Sequence, residues 1–340
     1  MTALLTPAYR LTIGSRVVDT TEEPRASATT DLVVTLDMDG WPDTLALSLG
    51  QVGGLDPKLD DQAKVELGYD DDDSGFTQVF AGLVDVSRSS LVIRRITATS
   101  PARALARLFV DQTFESQSAG QIVRDLAGRA RLDVATVDNG ITFPSYVVDS
   151  HRSALAHIRD LATLSGVDAY IDSNGKLVFQ AFTTGNLIHN VDFAKQILAL
   201  ELDRREGLDV TVKAFGESPT GNAGSDAWGW LTKDFSQSAG TAGNGDPTVL
   251  VERPALRTSQ AAATAASAGR RAFERRAIRG RVDMPGRPGV KLGDAISLRD
   301  VPFDGLDGTF QVRRVVHRIT KEYGFITTVE FAAIPEERLQ

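Results

Sequence analysis

Apolar and polar residues alternate with a period of two along most of this chain and change to a helical period in its middle. Tyr9–Ile13, Leu32–Met38, Thr44–Leu49, Lys64–Tyr69, Phe76–Val86 and Leu91–Ala98 read as short strands between Gly-, Asp- and Pro-rich turns. The pattern returns in Leu198–Arg205, Leu208–Ala214, Ile278–Met284, Ala295–Leu298, Thr309–Thr320 and Phe325–Ala332. Within Thr309–Thr320 the apolar face changes parity between Val312 and Val315, which predicts a β-bulge near Arg313 and Arg314. Pro101–Leu108 predicts a short helical link.

The middle of the chain follows different rules. Ser118 and Gln121 form a capping box, after which Ile122, Leu126 and Ala130 recur at helical spacing. A second helix is expected over Ser150–Ser165, with Leu155, Ile158 and Ala162 as its stripe and Gly166 at its left-handed stop. Val167–Ile171 and Lys176–Phe179 then alternate around Asn174-Gly175, a two-residue hairpin signal. The expected fold class is α+β, mainly β: two antiparallel β-barrel domains with a central helix–helix–hairpin α/β module. The boundaries are 1–105 for the first barrel, 106–190 for the module and 191–340 for the second barrel. The last carries an inserted loop and helix (216–277), made of an aperiodic Gly- and Ser-rich arm, Gly216–Asp246, and an Ala-rich helix, Ser259–Arg276.

The two β regions look related. Asp61–Leu67 resembles Gly293–Leu298, and Gly75–Val79 resembles Gly308–Val312, each followed by a long strand, a turn and another strand.

Composition narrows the function. The chain has 340 residues, 42% of them hydrophobic, and a formal net charge of -8. That acidity argues against a sequence-specific nucleic-acid reader. The absence of cysteine removes disulfides and thiolate metal sites. No apolar run reaches spanning length and the first residues lack a signal-peptide pattern, so synthesis in the cytoplasm without membrane insertion is expected.

No catalytic, cofactor or metal constellation stands out. His151, His157, His189 and His317 lack metal-ligand spacing, and Asp70–Gly75 lacks the glutamate that closes a calcium loop, Ala81 standing in its place. Gly175-Lys176 lacks the upstream glycine of a phosphate loop. Two features suggest contact surfaces instead. Arg270, Arg271, Arg275 and Arg276 crowd one helical segment, either as a solvated face or as a docking patch for an acidic surface such as another copy of the chain. Trp228 and Trp230 sit inside the arm, where buried aromatics would anchor an interface.

The order of parts carries a family resemblance. Phe80-Ala81-Gly82-Leu83-Val84 closes the first β region, and Phe114-Glu115-Ser116 leads into Ile122–Ala127. Leu155–Ala162 runs into Gly166–Tyr170 and Asn174–Phe179; Pro288–Asp294, Gly308–Val312 and Val315-Val316-His317 follow late in the chain. This order resembles the phage late control gene D family, the baseplate hub proteins of contractile tails, and is similar to the hub half of the VgrG spike proteins of injection systems. The resemblance implies a non-enzymatic hub: a homotrimer that joins a hexameric tube protein to a spike and touches other baseplate proteins. The chain ends soon after its second β region, so an OB- or β-helix-type spike is expected on a separate polypeptide. Cytoplasmic assembly, then incorporation into a tail or injection particle, goes with this expectation. The alternative is a cell-wall or glycan hydrolase fixed to such a tail, which would need a cleft holding a carboxyl of raised pKa.

Overall fold

The computed structural model describes residues 5–22, 29–40, 42–50, 56–70, 75–183, 188–205, 209–216, 239–302 and 307–335. The first β region comprises β1 (Pro7–Ile13), β2 (Arg16–Asp19), β3 (Thr29–Asp37), β4 (Thr44–Gly50), β5 (Gln62–Tyr69), β6 (Thr77–Ser89) and β7 (Ile93–Thr99), followed by α1 (Ala102–Ala106). The central module holds β8 (Gln112–Ser118), α2 (Ala119–Arg129), β9 (Val134–Val137), β10 (Thr142–Val148), α3 (Ala154–Ser165), β11 (Asp168–Ile171) and β12 (Leu177–Gln180). Then come β13 (Ile188–Asp192), α4 (Phe193–Gln196), β14 (Ala199–Arg204), β15 (Thr211–Phe215), β16 (Gly240–Ala242) and β17 (Thr248–Glu252). The chain closes with α5 (Ser259–Glu274), β18 (Ile278–Pro285), β19 (Ala295–Arg299), β20 (Gly308–Thr320) and β21 (Gly324–Ala333).

The fold is mainly β with few helices, as the alternation predicts. The two β regions are hydrogen-bonded into one 13-stranded sheet, ordered β14-β18-β21-β20-β3-β4-β7-β6-β5-β1-β2, with β19 on β20 and β13 on β19. Among the described residues no pairing closes that path into a barrel. The joint is β20 against β3, antiparallel from Arg314↔Asp37 to Thr320↔Asp31. One core therefore serves both regions: Leu32, Leu45, Leu67 and Phe80 from the first share it with Val282, Val312 and Val329 from the last. Each such side chain, fully buried, contributes roughly 1.5–3 kcal/mol, so the two regions stabilise each other.

The internal repeat is visible in the hydrogen bonds. Lys58 N donates to Asp61 Oδ2 at 2.8 Å, and Lys291 N donates to Asp294 Oδ2 at 2.9 Å. The residue just before the aspartate has positive φ in both turns, 66° at Asp60 and 83° at Gly293. Val84 N donates to Asp61 O at 2.8 Å and Val312 N to Asp294 O at 2.9 Å. A bulge follows each valine, between Val84 and Val86 and between Val312 and Arg314. The equivalent of Gly308–Val312 is thus Phe80–Val84, five residues beyond the Gly75–Val79 match that sequence identity suggests. The bulge near Arg313 is where the parity change placed it.

Local signals hold in the central module. Ser118 and Gln121 make both bonds of the capping box, and Gly166 caps α3 at φ 68°. α3 starts at Ala154 rather than Ser150, because Asp149 Oδ1 turns back to accept from His151 N and Ser153 supplies the cap. The β11–β12 hairpin is not a two-residue turn. Asp172 N donates to Lys176 O, leaving a three-residue loop with Gly175 left-handed at φ 82°. β8 pairs with β10, and β9 lies parallel to β12, so the module holds more sheet than helix–helix–hairpin implies.

The inserted helix α5 and the strand β15 that precedes the arm pack onto that module. Val210, Val212, Ala214, Ala261, Ala265 and Ala266 share a core with Phe114, Ile122, Leu126 and Phe143. Part of the expected arm is strand: β16 pairs with β15, which pairs in parallel with β17. Trp228 and Trp230 lie outside the described residues.

Candidate functional site

The central module, α5 and the large sheet meet around one carboxylate. Gly166 turns the chain sharply out of α3, which brings Asp168 to the start of β11 with its side chain 5% exposed. The bulge in β20 takes Arg313 out of alternation, and its Nη1 donates to Asp168 Oδ1 at 2.6 Å. Arg313 also bonds both oxygens of Asp39. Arg275, at the C-terminal end of α5, donates to the same Asp168 Oδ1 at 3.1 Å, and Gln311 Nε2 donates to Oδ2 at 2.6 Å. Asp168 thus ties together β11, β20 and α5.

Electrostatics match the geometry. Burial pushes Asp168 up, but the Arg313 and Arg275 charges, with hydrogen bonds from Arg313 and Gln311, outweigh it and hold the carboxyl below its usual range. Burial also works to lower Arg313, yet Asp168 and Asp39 carry it above its ordinary value. At Arg275 burial wins over Asp168, and its pKa is pulled down. A cleft of about 530 Å³ opens beside the cluster, walled by Arg159, Arg275, Arg279, Arg313 and Asp39 with Phe331 below. Asp168, Asp39, Arg275 and Arg313 at this cleft are paired with one another, so the cluster holds β11, β20 and α5 together.

The arginine patch divides between inside and outside. Arg275 is not on a solvated face; it is spent on Asp168. Arg271 packs against Gly166, close enough that a Cβ there would meet its guanidinium. Arg270 pairs with Glu274 one turn on at 2.9 Å, and Arg276 lies over the Phe273 ring, exposed. Replacing Arg270 and Arg276 together with Ser is expected to cost less than about 1 kcal/mol, since exposed pairs contribute little. Arg275→Ser is expected to cost about 2–3 kcal/mol, because it takes a charged donor from a buried carboxylate. Urea midpoints of the two variants check this.

A raised carboxyl does exist elsewhere. Asp43 is buried, accepts from Asp37 N at 2.8 Å, and is pushed up to about 7 by burial, against that hydrogen bond and Arg159. It lines a cavity of about 20 Å³. That is room for about one water, whereas small-molecule sites take ~300–1,000 Å³. Asp43 is therefore a poor anchor for glycan cleavage. The histidines are scattered: His151 is exposed, His157 Nε2 contacts Asp149 O at 3.1 Å, His189 pairs with Asp294 at 2.9 Å, and His317 is fully buried on Thr327. Among the described residues no group of three His, Asp or Glu could hold a metal, and no helix is long and apolar enough to cross a membrane.

Asp168 escapes sequence reasoning because a single aspartate in an apolar strand reads as its solvent-facing position. The one signal was the parity break that exposes Arg313 to it.

Comparison with known proteins gives the class first. The fold is that of phage and prophage tail proteins. The 43 kDa tail protein of prophage MuSo2 from Shewanella oneidensis superposes with TM-score 0.71 at 12% identity, covering 96% of this chain and 98% of that one. A tail protein from Neisseria meningitidis MC58 gives 0.71 at 12%, covering 98% of both chains. A component of the E. coli type VI secretion system, described as similar to the T4 bacteriophage tail proteins gp27 and gp5, gives 0.61 at 9%, covering 96% of this chain and 77% of that one. Within that class, residues 48–191 match the family model "Baseplate hub gp41", so the hub resemblance read from the sequence is borne out. No curated protein matches.

Proposed function

We propose that this chain is a structural baseplate hub of a contractile tail or injection system, a homotrimer that joins a hexameric tube to a separate spike protein. The observation that carries the proposal is the internal repeat. Two quasi-equivalent β units per chain, with matching turns and bulges, give a three-fold assembly six units to set against a six-fold ring. The match to a hub family model and the likeness to tail proteins support it. In this reading residues 1–105 and 191–340 act as two barrel-like domains around the module 106–190. The module and α5 brace them through Asp168. Tube, spike and other baseplate proteins are the partners, met in the cytoplasm during assembly and kept in the finished particle. The role is mechanical rather than catalytic. Light scattering of the chain co-expressed with its spike partner is expected to give three copies of this chain per complex; two or four would overturn the symmetry argument.

A further inference from the structure

The internal repeat also predicts which strands meet between copies. Matching the turns at Asp61 and Asp294 makes β5, β6 and β7 equivalent to β19, β20 and β21. Cross-strand register then carries the equivalence outward: Thr44, opposite Thr99, corresponds to Arg279, opposite Ala332. Hence β4 corresponds to β18, and β3 to β14, with Val34 matching Leu202 and Thr35 matching Asp203.

One edge is used in the second unit and left open in the first. β19 covers the first half of β20, and β3 takes the same edge from Arg314 onward. In the first unit β5 covers β6 up to Leu83, and among the described residues nothing pairs with that edge over Val86–Ser89. The strand that would fill it is the equivalent of β3, namely β14, whose own outer edge is also unpaired among the described residues.

We propose that copies of this chain join edge to edge, Val86–Ser89 of β6 in one copy pairing antiparallel with Leu202–Arg205, the end of β14 and the residue after it, in the next. This rests on the trimeric hub reading and gives its interface. Transferring the β20–β3 register sets Val86 opposite Arg205, Ser87 opposite Arg204, Arg88 opposite Asp203 and Ser89 opposite Leu202. Charge agrees with it. The internal joint carries Arg314 with Asp37 and Arg318 with Asp31, and the transferred register again sets an arginine against an aspartate. Apolar exposure agrees as well. Leu91 and Val92, 95% and 71% exposed at the tip of the β6–β7 hairpin, come beside Leu198, 61% exposed just before β14. The open stretch of β6 and the outer edge of β14 are then satisfied by the same contact.

The cysteine-free chain allows a direct test. In antiparallel pairs Cα atoms directly opposite lie about 4.5–5.5 Å apart, within disulfide reach, while diagonal neighbours lie at or beyond its limit. Ser89→Cys with Leu202→Cys in one chain, co-expressed with the spike partner and oxidised, is expected to give covalent trimers on a non-reducing gel. Ser87→Cys with Leu202→Cys is expected to give at least about tenfold less. Equal yields, or none, would overturn the pairing. Charge reversal gives an independent readout: Arg88→Asp or Asp203→Arg alone should weaken assembly about tenfold by setting like charges opposite, and the two together should restore it. Lack of rescue counts against the register. Three copies per complex with no 89–202 bond would overturn the pairing alone, whereas a dimeric or tetrameric mass would overturn the hub reading beneath it.

Discussion

Asp168→Ala is expected to lower the stability of the chain by about 3–5 kcal/mol, the cost of stranding buried charges whose partner has been removed. The carboxylate accepts from Arg313, Arg275 and Gln311, and each partner comes from an element distant in sequence. Arg313 would keep Asp39, but Asp39 is 66% exposed and water competes for it. Arg275 would keep no acidic partner within bonding distance among the described residues, and burial already pulls its pKa down. Side chains 12% and 21% exposed at Arg313 and Arg275 admit some water, which puts the expectation toward the lower end. Denaturation with guanidinium would measure the loss. Hydrogen exchange should also quicken in β11 and at the C-terminal end of α5, where the tie is released. A loss under about 1 kcal/mol would show that the cluster is held in place by the packing around it, rather than holding the modules itself.

What could be read from the sequence was local. The capping box at Ser118, the left-handed stop at Gly166 and the bulge at Arg313 depend on residues within a few positions, and all stand where the pattern put them. The resemblance to baseplate hub proteins is legible in the order of motifs. The pairing of β3 with β20 was not, because alternation says which face of a strand is buried and nothing about which strand lies beside it. Sequence identity alone sets the second half of the repeat five residues out of register, since Gly and Gln-Val identities recur by chance while backbone turns do not. Arg275 looked like its neighbours in a basic helix; only the tertiary placement of Asp168 separates it from Arg270 and Arg276. The same limit applies to Asp43, whose burial follows from the way α3 and the loop before β4 close over it.

Burial at Asp43 and at His317 sets up two opposed pH effects, and single substitutions should unmask them. His317 is fully buried in β20, its Nδ1 3.0 Å from Thr327 Oγ1 and its ring against Phe325, and burial lowers it from 6.5 to about 4. The unfolded chain therefore binds this proton more readily. The stability tied to His317 is present above pH 6.5 and is lost as pH falls toward 4, about 3 kcal/mol in all. Asp43 runs the other way. Its folded pKa, about 7, stands above the ordinary 3.8, so its stability is full below pH 3.8 and is lost as pH rises to 7, about 4 kcal/mol in all. Between pH 4 and 6.5 the two slopes nearly cancel. Asp43→Asn, which can still accept from Asp37 N, should gain on the parent protein as pH rises and be the more stable of the two at neutrality. His317→Gln carries a constant packing loss, yet its deficit should shrink as pH falls toward 4. The remaining carboxylates are present in all three proteins, so the differences between their stability curves report chiefly on these two groups. Urea midpoints between pH 4 and 7 would read them. Three parallel curves would mean that water reaches both side chains in the folded state, and that neither is desolvated by the packing around it.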